Sequence, residues 1–144
     1  MRIVVDTNIA FSAILNTNSR IARIFLQPKT KLNFYSTEQL LTEIYSHTDK
    51  LRKISKYTDV ELRNAVMLIT DRIRFINAGL IPKEIYKRAE ALTIDIDVDD
   101  TEFVALAEHI KGRFWSGDKK LLKGLREKKW TKAIMTDELY TLIV

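Results

Sequence analysis

The chain contains no cysteine, which excludes a disulfide framework, a thiolate zinc site and a cysteine nucleophile. Histidine is nearly as scarce. His47 and His109 are the two present, too few to build a histidine-based metal centre. With two prolines and four glycines in 144 residues, no stretch reads as a linker or low-complexity tract, and no internal repeat is visible. No apolar run approaches the roughly 18 residues that a membrane span requires. The start, MRIVVDTNIA, lacks a secretory layout, because polar and charged residues follow its short apolar stretch at once. These absences predict a cytoplasmic protein with no membrane partner.

What is present is an ordinary globular composition with a basic balance. Hydrophobic residues make up 46% and charged residues 30% of the chain, enough apolar material for one domain spanning residues 1–144. The net charge of +5 and a pI near 9.4 favour a polyanionic partner such as nucleic acid. Mildly basic domains without such a partner are nevertheless common.

Short apolar runs alternate with helical periodicity along the chain. Residues 2–6, RIVVD, read as a strand covered on both faces, because Val4 and Val5 are adjacent without alternation. Thr7 or Asn8 is positioned to cap a helix striped by Ile9, Phe11, Ile14 and Leu15, and Ile21, Ile24 and Phe25 stripe a second. Residues 31–36 predict strand two. A helix follows, capped by Ser36 or Thr37, with Leu40, Leu41, Ile44 and Tyr45 on its buried side and Glu43 off the centre of that face. Further helices are predicted over 59–71, 83–92, 101–111 and 119–128, and strands over 72–77, 113–117 and 133–136, before a short terminal helix. Strands alternating with helices predict an α/β fold, a three-layer α/β/α sandwich around one mainly parallel sheet. In such sheets ligands gather beyond the carboxyl ends of the strands.

Chemistry concentrates between residues 95 and 122, DIDVDDTEFVALAEHIKGRFWSGDKKLL. Asp95, Asp97, Asp99 and Asp100 precede an apolar-striped helix, and Asp118 follows a short strand, as Asp6 follows the first one. If those two strands are neighbours, acids from distant parts of the chain meet. Clustered carboxylates either take up protons or bind a cation, and hard oxygen donors without thiol or imidazole point to Mg²⁺ or Mn²⁺. Lys119, Lys120, Lys123, Arg126, Lys128 and Lys129 form the candidate basic patch for a phosphate backbone. Each residue also has a plainer reading. Asp100 and Asp118 are placed to be helix caps, Glu43 to be a solvated helix residue, and Asp95, Asp97 and Asp99 to decorate a loop. His47 follows Glu43 by one turn and reads as a surface histidine more readily than a proton carrier. Trp115 and Trp130 read as packing residues, and nothing in the spacing of Tyr35, Tyr45 or Tyr57 marks them for RNA.

Four segments in order, VVDTNIAFSAIL at 4–15, LLTEIY at 40–45, DDTEFVALA at 99–107 and WSGDKKLL at 115–122, resemble those of the PIN-domain family. This is a family of metal-dependent ribonucleases that includes VapC-like toxins of bacterial toxin–antitoxin pairs. The resemblance implies a parallel sheet flanked by helices and a Mg²⁺ or Mn²⁺ site made by Asp6, Glu43, Asp100 and Asp118. It also implies supporting roles for Asn8 beside the first acid and for Ser116 ahead of the last. Asp97 matches an extra upstream acid, although a loop-structuring role accounts for it equally. Lys119, Lys120 and Lys123 would bind substrate. Residues 48–92 carry no motif of the family.

The implied activity is hydrolysis of RNA phosphodiester bonds, with an antitoxin as the partner that blocks the acidic cleft by inserting a basic side chain. The alternative is a catalytically silent PIN-like module that binds RNA or protein. An aspartyl-phosphate phosphotransferase ranks below both, because Asn8 stands where such enzymes want a second acid. Ile21, Ile24 and Phe25 would serve a homodimer or the antitoxin if exposed, but their helical spacing favours the core.

Overall fold

A computed structural model describes residues 1–28 and 31–143. Five strands form one sheet in the order β3-β2-β1-β4-β5, every neighbouring pair parallel. They are β1 (Arg2–Val5), β2 (Asn33–Thr37), β3 (Ile73–Ile76), β4 (Arg113–Trp115) and β5 (Ala133–Ile134). The helices among the described residues are α1 (Thr7–Leu15), α2 (Arg20–Phe25), α3 (Glu38–Ser46), α4 (Thr48–Ser55), α5 (Asp59–Thr70), α6 (Lys83–Thr93), α7 (Thr101–His109), α8 (Lys119–Glu127) and α9 (Thr136–Ile143). None is long and apolar enough to cross a membrane.

Both faces of the sheet are covered, as the unbroken apolar strands imply. Ile3, Val4 and Val5 point alternately up and down, yet all three are fully buried. Helix α7 lies on β1, β2 and β4 with α6 stacked against it, while α3 packs on β2 and α5 on β3. Phe25, Phe34 and Trp115 meet in the centre, with Trp115 ring centroids 5.1 Å and 6.1 Å from the two phenylalanines. Each such aromatic contact adds about 0.5–1.5 kcal/mol beyond the area it buries.

The turn that returns α7 to the sheet requires glycine. A Cβ on Gly112 would stand 2.7 Å from the Arg2 carbonyl oxygen, so only a bare backbone lets β4 enter beside β1.

The structure moves several expected boundaries. β4 ends at Trp115, two residues before Gly117, and the last bond to its neighbour is the one the Ser116 N–H donates to the Ile134 carbonyl at 3.2 Å. Thr7 and Asn8 lie inside α1, and Asp6 caps it instead. Thr37 occupies the cap position of α3 without a side-chain capping bond. Helix α4, which the apolar pattern did not announce, is anchored by one buried residue, Leu51. Tyr45, expected on the buried side of α3, is 71% exposed. Ile24 and Phe25 are in the core and Ile21 is packed against it, so α2 does not offer the apolar dimer face that these residues would make if exposed.

Candidate active site

The strand order decides where the acids go. β1 and β4 are adjacent, with Val5 paired to Trp115, so Asp6 and the Ser116–Gly117–Asp118 turn leave the sheet side by side at its carboxyl end. Asp6 caps α1 by accepting from the Ile9 N–H at 2.9 Å, and Asp118 caps α8 by accepting from the Leu121 N–H at 3.1 Å. Asp100 stands at the cap position of α7 but makes no capping bond through its side chain. Three helix N-termini therefore converge on the site, and their partial positive charge offsets some of the repulsion among the acids. Capping and a site role are compatible here, since a carboxylate keeps lone pairs after one bond.

These residues line a pocket of about 220 Å³ together with Thr7, Asn8, Glu43, Asp97, Asp99 and Phe103. Six of its lining residues are acids, and none is basic. A larger groove of about 800 Å³ lies at the other end of the strands, between the end of α2 and the starts of β2 and β3. It mixes Asp71 with Arg72 and Arg74 and brings no acids together.

Crowding shows in the protonation of the acids. Asp6 is 5% exposed, and burial pushes its carboxyl up to about 6, with the charges of Asp118 and Glu43 adding to the rise. The Ile9 N–H and the Ser116 hydroxyl, both donating to it, pull it back. Asp100 is pushed up to about 8, first by burial and then by Asp6, Asp97 and Asp118. At neutral pH the pocket favours either protons or a cation.

Among the described residues no three acids form a closed coordination cage. Thr7 lines the same pocket, and its hydroxyl oxygen is buried without a hydrogen-bond partner within the protein. The donors are hard oxygens of the kind that Mg²⁺ or Mn²⁺ takes, and Asp6, Glu43, Asp100 and Asp118 are the residues that could reach such an ion.

The remaining expected residues are placed as follows. Asn8 is exposed on the pocket rim. Ser116 is fully buried, and its hydroxyl donates to Asp6 while accepting from the Asp118 N–H at 3.2 Å. Asp97 structures the loop by accepting from the Asp99 N–H at 3.0 Å, and it also lines the pocket. Glu43 is half-buried, held by the Gln39 amide at 2.8 Å.

Lys119, Lys120 and Lys123 are exposed on α8 but stand outside the acidic pocket. Lys119 and Lys123 border a groove with Leu122, Arg126 and Met135, where Arg126 pairs with Glu138 at 3.5 Å. Lys128 is tied to Asp95. His47 is not in the pocket. Its Nδ1 lies 2.8 Å from the Glu43 carbonyl oxygen and its ring meets Phe11 edge-on, which closes the end of α3. Trp115 and Trp130 are packing residues, and the Tyr57 hydroxyl donates to the Leu15 carbonyl.

Two residues of the site carried no functional signal in the sequence. Gln39 donates to Glu43 and, at 3.2 Å, to the Asp99 carbonyl, joining α3 to the acidic loop. Its spacing of four from Glu43 was legible as a helical neighbour and nothing more. Thr7 read only as a cap.

The sequence matches the PIN domain over residues 4–139. The fold is similar to that of a chain in the crystal structure of VapBC2 from Rickettsia felis bound to a DNA fragment from their promoter, with a TM-score of 0.67 and 13% identity. The superposition covers 94% of this chain and 97% of that one. At that identity the likeness speaks for the fold alone. No curated protein matches the chain.

Proposed function

Because the chain belongs to the PIN-domain family, whose members are generally nucleases, we propose that it is a metal-dependent endoribonuclease and the toxin of a toxin–antitoxin pair. The observation that carries the reading is the meeting of Asp6, Glu43, Asp100 and Asp118 in one pocket at the carboxyl end of the sheet. Asp6, Asp100 and Asp118 would hold Mg²⁺ or Mn²⁺, directly or through water, and Glu43 would be a further ligand or would orient a water for attack. When bound, such an ion supplies the positive charge the pocket lacks and activates water at neutral pH.

The chain's own residues do the positioning. Ser116 and the Ile9 N–H fix the Asp6 carboxylate, and Gln39 fixes Glu43. Exposed Lys119, Lys120 and Lys123 hold the RNA backbone beside the pocket, where their charge is complementary to phosphate. An antitoxin silences the site by placing a basic side chain among the carboxylates. The structurally similar chain comes from a crystal structure of VapBC2 bound to promoter DNA, which supports looking for such a partner.

A mixed RNA substrate, incubated with Mg²⁺ or Mn²⁺ and separately with EDTA, tests this using wild type and Asp6→Asn. Cleavage is expected with metal and wild type only. Equal cleavage by Asp6→Asn would refute the assignment. The lack of a closed acid cage favours one second reading, a silent RNA- or protein-binding module. That reading takes first place if wild type retains RNA on a filter but cuts it under no metal.

A further inference from the structure

Helix α8 carries a glycine at position 124, three residues before its end, although glycine is the poorest helix former after proline. A close contact accounts for it. A Cβ on Gly124 would stand 2.5 Å from Ile96 Cδ1 and 3.1 Å from Ile96 Cγ1. Ile96 is half-buried and packs against the core. The bare backbone of α8 is its seat, so the loop between α6 and α7 lies directly on that helix.

One turn further along, Lys128 reaches the same loop. Its ammonium donates to the Leu92 and Ala91 carbonyls at 3.0 Å and 3.4 Å and pairs with Asp95. An ammonium has three protons, so the end of α6 and the loop occupy all of them. The loop, residues 94–100, is also braced within itself. The Thr93 and Thr101 hydroxyls at its two ends lie 2.5 Å apart, and the Ile96 and Asp97 N–H groups donate to the Thr93 carbonyl at 2.9 Å and 2.8 Å. A unit braced in this way is placed as a whole by what it leans on. It supplies Asp97, Asp99 and Asp100 to the acidic pocket, while Asp118 comes from the cap of α8.

We infer that Gly124 and Lys128 are positioning residues of the acidic site, which latch the 94–100 loop to α8 and so fix the acids of that loop against Asp118. Neither residue lines the pocket; both act through the loop. Gln39 holds the same loop from α3 through the Asp99 carbonyl, so the latch on α8 is the second of two anchors. The inference rests on the metal-dependent nuclease reading above. It also removes Lys128 from the basic patch, because its charge is spent on the loop rather than offered to phosphate.

The test compares wild type with Lys128→Met, Gly124→Val and the double variant Gly124→Val/Ile96→Ala. The double variant moves three carbons from one side of the contact to the other, and packed contacts tolerate volume-conserving exchanges best. Each protein is read by hydrogen exchange of the Ile96, Asp97 and Asp100 N–H groups in EDTA and by Mn²⁺ affinity in calorimetry. A thermal melt checks that it is folded at the assay temperature. Lys128→Met and Gly124→Val are expected to speed exchange in the loop and to weaken Mn²⁺ binding about tenfold, as lost outer support does at a metal site. The double variant is expected to recover most of that affinity. Lys128→Met separates position from charge, because removing a nearby cation would by itself tighten Mn²⁺ binding.

Three results would overturn the inference: unchanged loop exchange in both single variants, Mn²⁺ binding by Lys128→Met as tight as wild type or tighter, or a double variant as weak as Gly124→Val. A lowered unfolding temperature with wild-type Mn²⁺ affinity would mark the contact as structural only and also overturn it. If Gly124→Val does not fold, Lys128→Met decides the matter alone. Wild type that binds no Mn²⁺ would bring down the metal-dependent reading and this inference with it. Normal wild-type binding that the variants retain overturns this inference alone.

Discussion

Removing the charge of Asp6 is expected to stabilise the metal-free protein, and the size of the effect follows from its surroundings. Burial, with the charges of Asp118 and Glu43 nearby, raises the carboxyl from 3.8 to about 6 against the opposing pull of the Ile9 N–H and the Ser116 hydroxyl. A shift of that size corresponds to roughly 3 kcal/mol of folding free energy. Its sign is set by which state holds the proton. Between pH 4 and pH 6 the native protein keeps a proton that the unfolded chain has released, so wild-type stability falls as pH rises through that window. The loss is complete above it. Asp100, raised to about 8, extends the decline further toward alkaline pH.

Asparagine at position 6 can still accept from the Ile9 N–H, since it is as good a cap as aspartate. Asp6→Asn should therefore exceed wild type by about 3 kcal/mol at pH 8 in EDTA, on the order of 10 °C in unfolding temperature for a chain of this length. The gap should close near pH 4, where wild type is neutral at this position too. Millimolar Mg²⁺ should narrow the gap from the other side, because a ligand that binds only the folded wild type stabilises it. Thermal melts of both proteins at pH 4, 6 and 8, with EDTA or Mg²⁺, measure all of this. A variant no more stable than wild type at pH 8, or a gain that persists at pH 4, would refute the reasoning.

Two further outcomes concern the parts around the acids. Replacing Gln39 by alanine frees Glu43 and unties the Asp99 carbonyl. It should cost about ten- to a hundredfold in cleavage, as lost outer ligand support usually does, with unfolding free energy changed by no more than about 0.5 kcal/mol. Steady-state kinetics beside a melt would show whether the loss is confined to activity. Changing Lys119, Lys120 and Lys123 together to glutamine, in an Asp6→Asn background that cannot cut, should flatten the salt dependence of RNA retention. Three lost phosphate contacts would reduce the slope of log K against log salt by about 2, and an unchanged slope in filter binding would remove these lysines from the substrate path.

Much of this architecture follows from local chemistry that a reader of the chain can see. Val4 beside Val5 signals a strand buried on both faces, and both are fully buried. The stripe of Phe103, Leu106 and Ala107 signals the helix that covers the sheet, and all three are buried as expected. The four acids were nameable because their segments resemble a family in order and spacing, which the match over residues 4–139 supports. Helix α4 escaped notice for a physical reason: one buried leucine is too little apolar pattern to distinguish a short polar helix from a loop. Asp6 was read as the end of a strand because both a strand terminus and a helix cap favour an aspartate there, and only the turn angle decides.

What local pattern determined, then, is the kind and sequence of elements and the residue types each one ends on. Which ends meet was decided by the sheet. The order β3-β2-β1-β4-β5 seats residue 5 against residue 115 and brings the starts of α1, α7 and α8 to one pocket with Glu43 of α3. That order depends on pairing between strands about a hundred residues apart, whose register no local periodicity records. The same packing turned Thr7 from a plausible cap into a pocket residue whose hydroxyl is buried without a partner, and it made Gln39 a bridge. Burial and unmet hydrogen bonds are properties of what surrounds a side chain, so they exist only once the chain has closed on itself.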